Sequence, residues 1–377
     1  MQRPKTAALW AATAWSCLAG TAGALPLERD PFDPTILFSE GDRLQFEFNT
    51  FDPDVRGDQL VTLAPGSVAG TSSGDIIGRE NSLRSTLKWD QTERLSFAIE
   101  LSQPYVSDIA YPTGTGFYTQ GTSATLDTDA LTFMGNYDFG NGFSAHGGLR
   151  VQRIEATTAV PALGNYRVES DRDMALGWAL GVSWERPERA QRVTLTYTSA
   201  IDHDVGITES ILSPLGPVTQ RSETTFRTPD AISLYAQTGI TPRTLVFARA
   251  RYVGVTDTVS DPQLFVGTTG RPILDYDENA WNLQLGVGYR VNERLGLLGA
   301  IVYEDEADEN VGQFGPTSGQ KGIAVGARYD FGAVEVSGIV AYSRAGDATV
   351  TNANGQPRAR FEDVDATRVT LGVTYKF

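Results

Sequence analysis

The sequence predicts an all-β fold: a transmembrane antiparallel β-barrel of fourteen strands. Three observations carry this. Segments of about ten residues alternate apolar and polar side chains, and ten residues suffice for a tilted strand to cross a bilayer. The connections between them alternate short and long. Aromatic residues gather at the segment ends, where an interfacial girdle belongs. A soluble β-sandwich or propeller would also alternate. It would need neither aromatics at both strand ends nor loops that are long on one side only.

In chain order the first segments are 42–51 (Leu44, Phe46, Phe48), 82–90 (Leu83, Leu87, Trp89), 94–103 (Leu95, Phe97, Ile99, Leu101) and 130–138 (Leu131, Phe133, Tyr137). Then come 143–154 (Phe143, Leu149, Val151) and 173–185, where Met174, Leu176, Trp178, Leu180, Val182 and Trp184 alternate without a fault. The next are 192–201 (Val193, Leu195, Tyr197), 230–239 with mixed parity, 245–254 (Val246, Ala248, Tyr252) and 280–289 (Trp281, Leu283, Tyr289). The last are 295–303 (Leu297, Tyr303), 322–330 (Ile323, Tyr329), 334–343 (Val336, Tyr342) and 366–377, which ends on Phe377. Short turns such as WDQTERL, YDFGNGF and YRVNERL alternate with long connections over 52–81, 104–129, 155–172, 202–229, 255–279, 304–321 and 344–365. An even strand count puts both termini on the side of the short turns.

The first residues read as an export signal, 1–24. MQRPK is basic, TAALWAATAWSCLAG is apolar, and Ala22-Gly23-Ala24 is a small-residue cleavage site. A short N-terminal segment, 25–41, then precedes the barrel, 42–377. The single cysteine, Cys17, falls inside the signal, so the mature chain has no thiol for a disulfide or a metal. The formal charge of −15 argues against nucleic acid as a partner. A mean hydropathy of −0.22 suits a barrel whose lipid-facing and lumen-facing residues cancel. Together these place the chain in the bacterial outer membrane, as a monomer among lipid and lipopolysaccharide, inserted by the barrel assembly machinery.

If the apolar parity faces lipid, the other parity lines the lumen. It carries Arg43, Glu47, Arg84, Lys88, Glu100, Arg150, Arg249, Arg251, Arg290, Arg328, Glu335, Arg368 and Lys376. Arg or Lys on the lipid face would cost about 2–4 kcal/mol at midplane, so these residues have to point inward. They form either a polar wall that guides an anionic ligand head or a self-neutralising ladder of ion pairs.

The stretches GWALGVSWERPERAQRVTLTYTSAIDHDV (Gly177–Val205), DPTILF (Asp33–Phe38), FDPDVRGD (Phe51–Asp58) and TTFRTPDAISLYAQTGITPRTLVFARARYVGVTD (Thr224–Asp257) resemble the outer-membrane long-chain fatty acid transporters of the FadL/TodX type. In place of the family's Tyr-Arg-Ser-x-x-x-His-like motif stands Tyr197-Thr198-Ser199-Ala200-Ile201-Asp202-His203, and Asp33 stands for its Asn-Pro-Ala asparagine. The resemblance implies a fourteen-stranded barrel with an N-terminal plug, ligand entry from outer loops, and sideways exit through a kink in the third strand. Gln103-Pro104, where the alternation fails, is the candidate kink, because proline cannot donate to the ladder. Arg150 or Arg153 matches the family's basic residue on the fifth strand, with Arg249 and Arg251 as further ligand-guiding candidates, and Phe32 stands for its N-terminal aromatic. Phe117, Tyr118, Leu212 and Leu215 are the apolar loop candidates for ligand capture. Only eight residues, Leu25–Phe32, lie between the cleavage site and Asp33. The family's plug is several times longer, so 25–41 reads as a vestigial plug, and the expectation is a lumen that is more open, filled by loops, or built for another ligand.

Passive uptake of hydrophobic or amphipathic small molecules such as long-chain fatty acids is the function these features predict, with no cofactor. A general diffusion porin is the alternative, and a barrel lipid hydrolase using His146 or His203 a more distant one. A lone histidine is no triad. The acidic run 304–309 lacks the spacing and glycine of a Ca²⁺ loop.

Overall fold

The computed structural model describes residues 28–63, 66–305 and 310–377. The export signal predicted over 1–24 therefore lies outside the described residues, as does most of the acidic run.

Fourteen antiparallel barrel strands close on themselves. They are β1 (Arg43–Asp54), β2 (Glu80–Asp90), β3 (Leu95–Ser102 and Val106–Ala110), β4 (Ser123–Gly140), β5 (Phe143–Val160), β6 (Tyr166–Ser170 and Asp173–Arg186) and β7 (Gln191–Thr198 and Ile201–Ser213). They continue as β8 (Gly216–Thr228 and Asp230–Thr241), β9 (Thr244–Gly254), β10 (Ala280–Arg290), β11 (Leu295–Glu304), β12 (Ser318–Asp330), β13 (Val334–Gly346) and β14 (Asp365–Lys376). The ring shuts where β14 pairs with β1, from Arg43↔Lys376 to Asp54↔Asp365. Closure is what a bilayer demands, since an open edge would leave backbone polar groups in hydrocarbon.

The predicted parity is the observed one. Phe46, Leu83, Leu131, Leu149, Leu176, Leu283, Val325 and Leu371 face outward and are exposed. Arg43, Glu47, Arg84, Lys88, Glu100, Arg150, Arg251, Arg328 and Arg368 are buried on the inner face. Aromatic pairs mark the rims: Tyr137–Phe139, Tyr329–Phe331 and Tyr375–Phe377 beside short turns, and Tyr252–Trp281 on the opposite side.

The long connections are a correction. Much of 104–129, 155–172 and 202–229 is strand, because β4, β5 and the β7–β8 hairpin run on beyond the membrane. Beyond the lipid boundary the solvent changes sides, and so does the apolar face. In β5, Leu149 and Val151 face lipid, whereas Ile154 and Val160 are buried inside. The inward-turned residues form the largest apolar core of the molecule, with Ile109, Leu126, Tyr166, Val205 and Ile207 from the wall and Phe117, Phe265, Phe314 and Phe361 from the loops. A four-stranded sheet (Gly57–Gln59, Asn310–Val311, Ala348–Thr351, Pro357–Phe361) and a short helix, α1 (Gln263–Thr269), pack among the loops at this end. Gly57 is required there, since a Cβ would lie 2.6 Å from the Phe361 ring.

Candidate functional site

The N-terminal segment crosses the lumen. Its contacts reach the inner faces of strands all round the ring. Asp30 pairs with Arg84 on β2, Asp33 with Arg249 on β9 (2.6 Å), and Glu28 with Arg251 on β9 (2.5 Å). Phe32 lies under the Arg150 guanidinium on β5 (5.6 Å), and Phe38 under Arg192 on β7 (4.5 Å) with its edge to His146 (5.7 Å). Arg368 on β14 donates to the Arg29 carbonyl (3.3 Å). A chain that touches β2, β5, β7, β9 and β14 from within must run through the barrel interior.

This plug is compact because its sequence folds locally. Asp33 accepts the Thr35 N–H (2.8 Å) and caps a 3₁₀ turn, Pro34–Phe38, with proline at its start, where a missing N–H costs nothing. Ile36, Leu37 and Phe32 pack on Ala98, Met134 and Ala179 of the inner wall. So short a segment still crosses the lumen and fastens to its wall. Few residues suffice because the wall's own side chains reach in to meet them.

Above the plug lies an apolar cavity with about 850 Å³ of empty space, its open mouth included. Ile109, Leu126, Ile154, Val168, Val205 and Ile207 supply the wall side, and Ile273, Leu274 and Phe314 the loop side. A concave, mostly apolar space with a few hydroxyls is the usual form of a small-molecule site. In the loops beside it, burial raises the pKa of the Tyr118 and Tyr276 hydroxyls, so both stay neutral. Glu209 fastens α1 over this region, accepting from the N–H groups of Leu264 (3.1 Å) and Phe265 (3.0 Å) and from the Tyr166 hydroxyl (2.9 Å).

The barrel wall is broken beside this cavity. β2 pairs with β3 from Asp90↔Ser96 to Ser85↔Leu101. Contact resumes at the bridge Ile77↔Ile109, and among the described residues no ladder pair joins 78–84 to 102–108. The cause sits at Gln103-Pro104. On the other side, β3 pairs with β4 at Ser102↔Ala130 and then at Val106↔Asp127, so β3 holds one residue more. That extra residue is a bulge, and it turns the pleat over: Ser102 faces inward, but so do Tyr105, Ser107 and Ile109. Pro104 brings no N–H to the bulge, and the Thr128 hydroxyl satisfies the Tyr105 backbone, accepting its N–H (2.8 Å) and donating to its carbonyl (2.7 Å). The candidate kink lies at this interruption of the ladder.

The plug also bolts this gap. The Arg29 N–H donates to the Pro104 carbonyl (2.9 Å) and Glu28 bridges to Tyr105. On the β2 side, Asp30 holds Arg84 and Arg29 holds Glu80 (2.6 Å).

The other predicted residues separate clearly. Arg249 and Arg251 hold the plug and are not bare ligand guides. Arg150 is buried, its Nε donates to the Thr132 hydroxyl (3.1 Å), and among the described residues its Nη2 has no hydrogen-bond partner. Arg153 is on the outer face, paired with Asp129, and does not reach the lumen. Phe117 is buried in the loop core with Tyr118 against it (4.8 Å), so neither offers an open capture groove. Leu212 and Leu215 stand exposed at the tip of the β7–β8 hairpin, away from the cavity. His146 contacts the Thr196 hydroxyl (2.9 Å), and His203 contacts Asp173 (3.0 Å) and Gln152 (3.3 Å). Among the described residues no three His, Cys, Asp or Glu side chains are grouped to hold a metal.

The fold and site define a plugged fourteen-stranded membrane barrel with an apolar lumen chamber opening toward a gap in its wall. This barrel fold is similar to solved structures of a FadL homologue and of toluene transporters. A FadL homologue from Pseudomonas aeruginosa has a similar structure with a TM-score of 0.71, at 17% sequence identity, over 96% of both chains. The Ralstonia pickettii toluene transporter TbuX gives 0.64 at 13% identity over 95% of this chain and 96% of that one. The P. putida toluene transporter TodX gives 0.63 at 12% identity over 91% and 92%. No protein-family model and no curated protein matches the sequence.

Proposed function

We propose that the protein is a bacterial outer-membrane channel for passive uptake of hydrophobic or amphipathic small molecules, long-chain fatty acids among them. One observation carries this reading: the apolar cavity borders the wall gap at Pro104 through Ser107 and Ile109, and the plug crosses the lumen below it. A ligand enters the cavity from the loop side, driven by about 25 cal/mol for each Å² of apolar surface it removes from water. A carboxylate head, where the ligand has one, meets the unpartnered Nη2 of Arg150 below the cavity. Movement of Glu28–Asp30 away from Pro104 and Arg84 unbolts the gap, and the ligand leaves sideways. The resemblance to channels named for toluene and FadL supports the substrate class. Lipid, lipopolysaccharide and the barrel assembly machinery are the surroundings such a barrel requires.

The test is deletion of Gln103, which removes the extra residue and lets β3 pair with β4 without a bulge. Uptake of a fluorescent fatty acid into proteoliposomes should fall at least fivefold, with heat-modifiable gel mobility confirming a folded barrel. Full uptake by that folded variant would remove the gap from the mechanism. A large, steady single-channel current in the wild type would instead establish an open porin.

A further inference from the structure

The wall carries a second break, between β6 and β7. These strands pair from Arg186↔Gln191 to Ala179↔Thr198, and the Ser199 N–H still donates to the Trp178 carbonyl (2.8 Å). Pairing resumes in the same register at Ser170↔Ile207, where the Asp171 N–H donates to the Gly206 carbonyl (2.7 Å). Between them, among the described residues, no ladder pair joins 172–177 to 200–205. The reason is a mismatch of pleats. β7 and β8 turn over together, at Ser199-Ala200 and at Pro229, and stay paired through the change. β6 turns over only at Asp171-Arg172. Over the stretch between, facing residues point to opposite sides, and antiparallel strands in that relation cannot complete their hydrogen bonds.

The break has chambers on its inner side and lipid-type surface on its outer side. Val205 and Ser170, at its upper end, line the large apolar cavity. At its lower end Gly177 and Ile201 border a small cavity, about 210 Å³ of empty space, that reaches Phe32 and Arg150. Outside, Met174 and Leu176 are 68% and 71% exposed, as lipid-facing residues are. Only side chains span it. His203 Nδ1 meets Asp173 Oδ2 at 3.0 Å, and Ile201 covers Gly177, where a Cβ would come within 2.6 Å of it.

We infer that this β6–β7 break is a second lateral portal, through which apolar molecules exchange between the lumen cavity and the outer leaflet without passing Pro104. The inference rests on the uptake reading for what passes, but not for whether the wall opens. Its small cavity adjoins Phe32 of the plug, so a plug movement that unbolts the first gap also frees the floor of the second.

Two measurements test it, both in a Cys17→Ser background. First, Ala175→Cys in the break is compared with Thr194→Cys, an inward-facing position inside the intact ladder, using pyrene maleimide dissolved in the bilayer of proteoliposomes. The portal requires Ala175→Cys to label at least tenfold faster, and equal rates would show a sealed wall and overturn it. Second, Asp173→Cys with His203→Cys is bridged by a short bis-methanethiosulfonate, and entry of 1-N-phenylnaphthylamine is followed. Bridging should slow entry at least twofold and reduction should restore it. Entry unchanged by the bridge would overturn the portal even where Ala175→Cys labels. If the wild-type protein itself speeds entry no more than barrel-free liposomes, the uptake reading fails, and the labelling ratio alone decides whether the wall opens.

Discussion

Asp33 performs two tasks in the plug, and they can be separated by substitution. One carboxylate oxygen caps the 3₁₀ turn through the Thr35 N–H, and the other holds Arg249 at 2.6 Å. Asp33→Asn keeps an oxygen for the cap but removes the charge. The Arg249 side chain is only 12% exposed, so it loses its counter-charge without gaining much water. Breaking a buried pair from one side costs about 3–5 kcal/mol, and this partial exposure puts the cost near the lower end, at about 3 kcal/mol. With about 1.4 kcal/mol per decade, the population with the plug displaced should rise roughly a hundredfold. Asp33→Ala should add the loss of the cap, about 1 kcal/mol, and so a further several-fold. Replacing both partners, as Asp33→Asn with Arg249→Leu, should recover most of the loss, because an apolar side chain leaves no charge stranded. Single-channel recording in planar bilayers reads the displaced population as open time, and limited proteolysis within 28–40 reads it independently. If Asp33→Asn opens no more often than the wild type, or the double variant opens more than the single one, this pair does not hold the plug.

Two further outcomes follow from the same geometry. Arg150→Gln should weaken binding of an alkyl carboxylate about tenfold, the worth of one hydrogen bond to a charged group, and leave a neutral monoaromatic compound unaffected; tryptophan-quenching titration of both ligands checks this. Gly181→Ala should destabilise the barrel by about 2 kcal/mol, since its methyl would strike the His146 ring and the Leu195 carbonyl, and it should loosen the plug through Phe38; thermal melting followed by gel mobility is the measurement.

The membrane strands were legible because each face meets one solvent throughout the bilayer, so Leu176, Trp178 and Leu180 declare their side without help from neighbours. Above the bilayer that rule inverts. The switch from Leu149 and Val151 outside to Ile154 and Val160 inside looks, in sequence, like the end of a strand, though the backbone runs straight on. The breaks were half legible. Pro104 marks its own bulge. The β6–β7 break has no such residue at its centre, because it arises from two strands turning over at different levels, a relation that no single strand displays. The mixed parity of 230–239 has a local cause: Tyr235 is an apolar residue on the inner face, bonded to Gln237 (2.8 Å). The segment 25–41 reads in sequence only as a vestigial plug, because its length is set against longer ones. A signal was present in the charges. The inward parity is strongly basic, and Glu28, Asp30 and Asp33 recur in the one short stretch that could neutralise it.

The plug lies immediately before β1, and β1 is the strand that β14 must find to shut the ring. Its contacts join residues hundreds of positions apart, such as Asp33 with Arg249 and Arg29 with Arg368. The order of assembly is thereby constrained. Once β14 has zipped onto β1, the chain ahead of β1 can reach the interior only through a narrow mouth lined by Arg43 and Lys88. The stopper is therefore enclosed while the vessel is still open, before β14 closes onto β1.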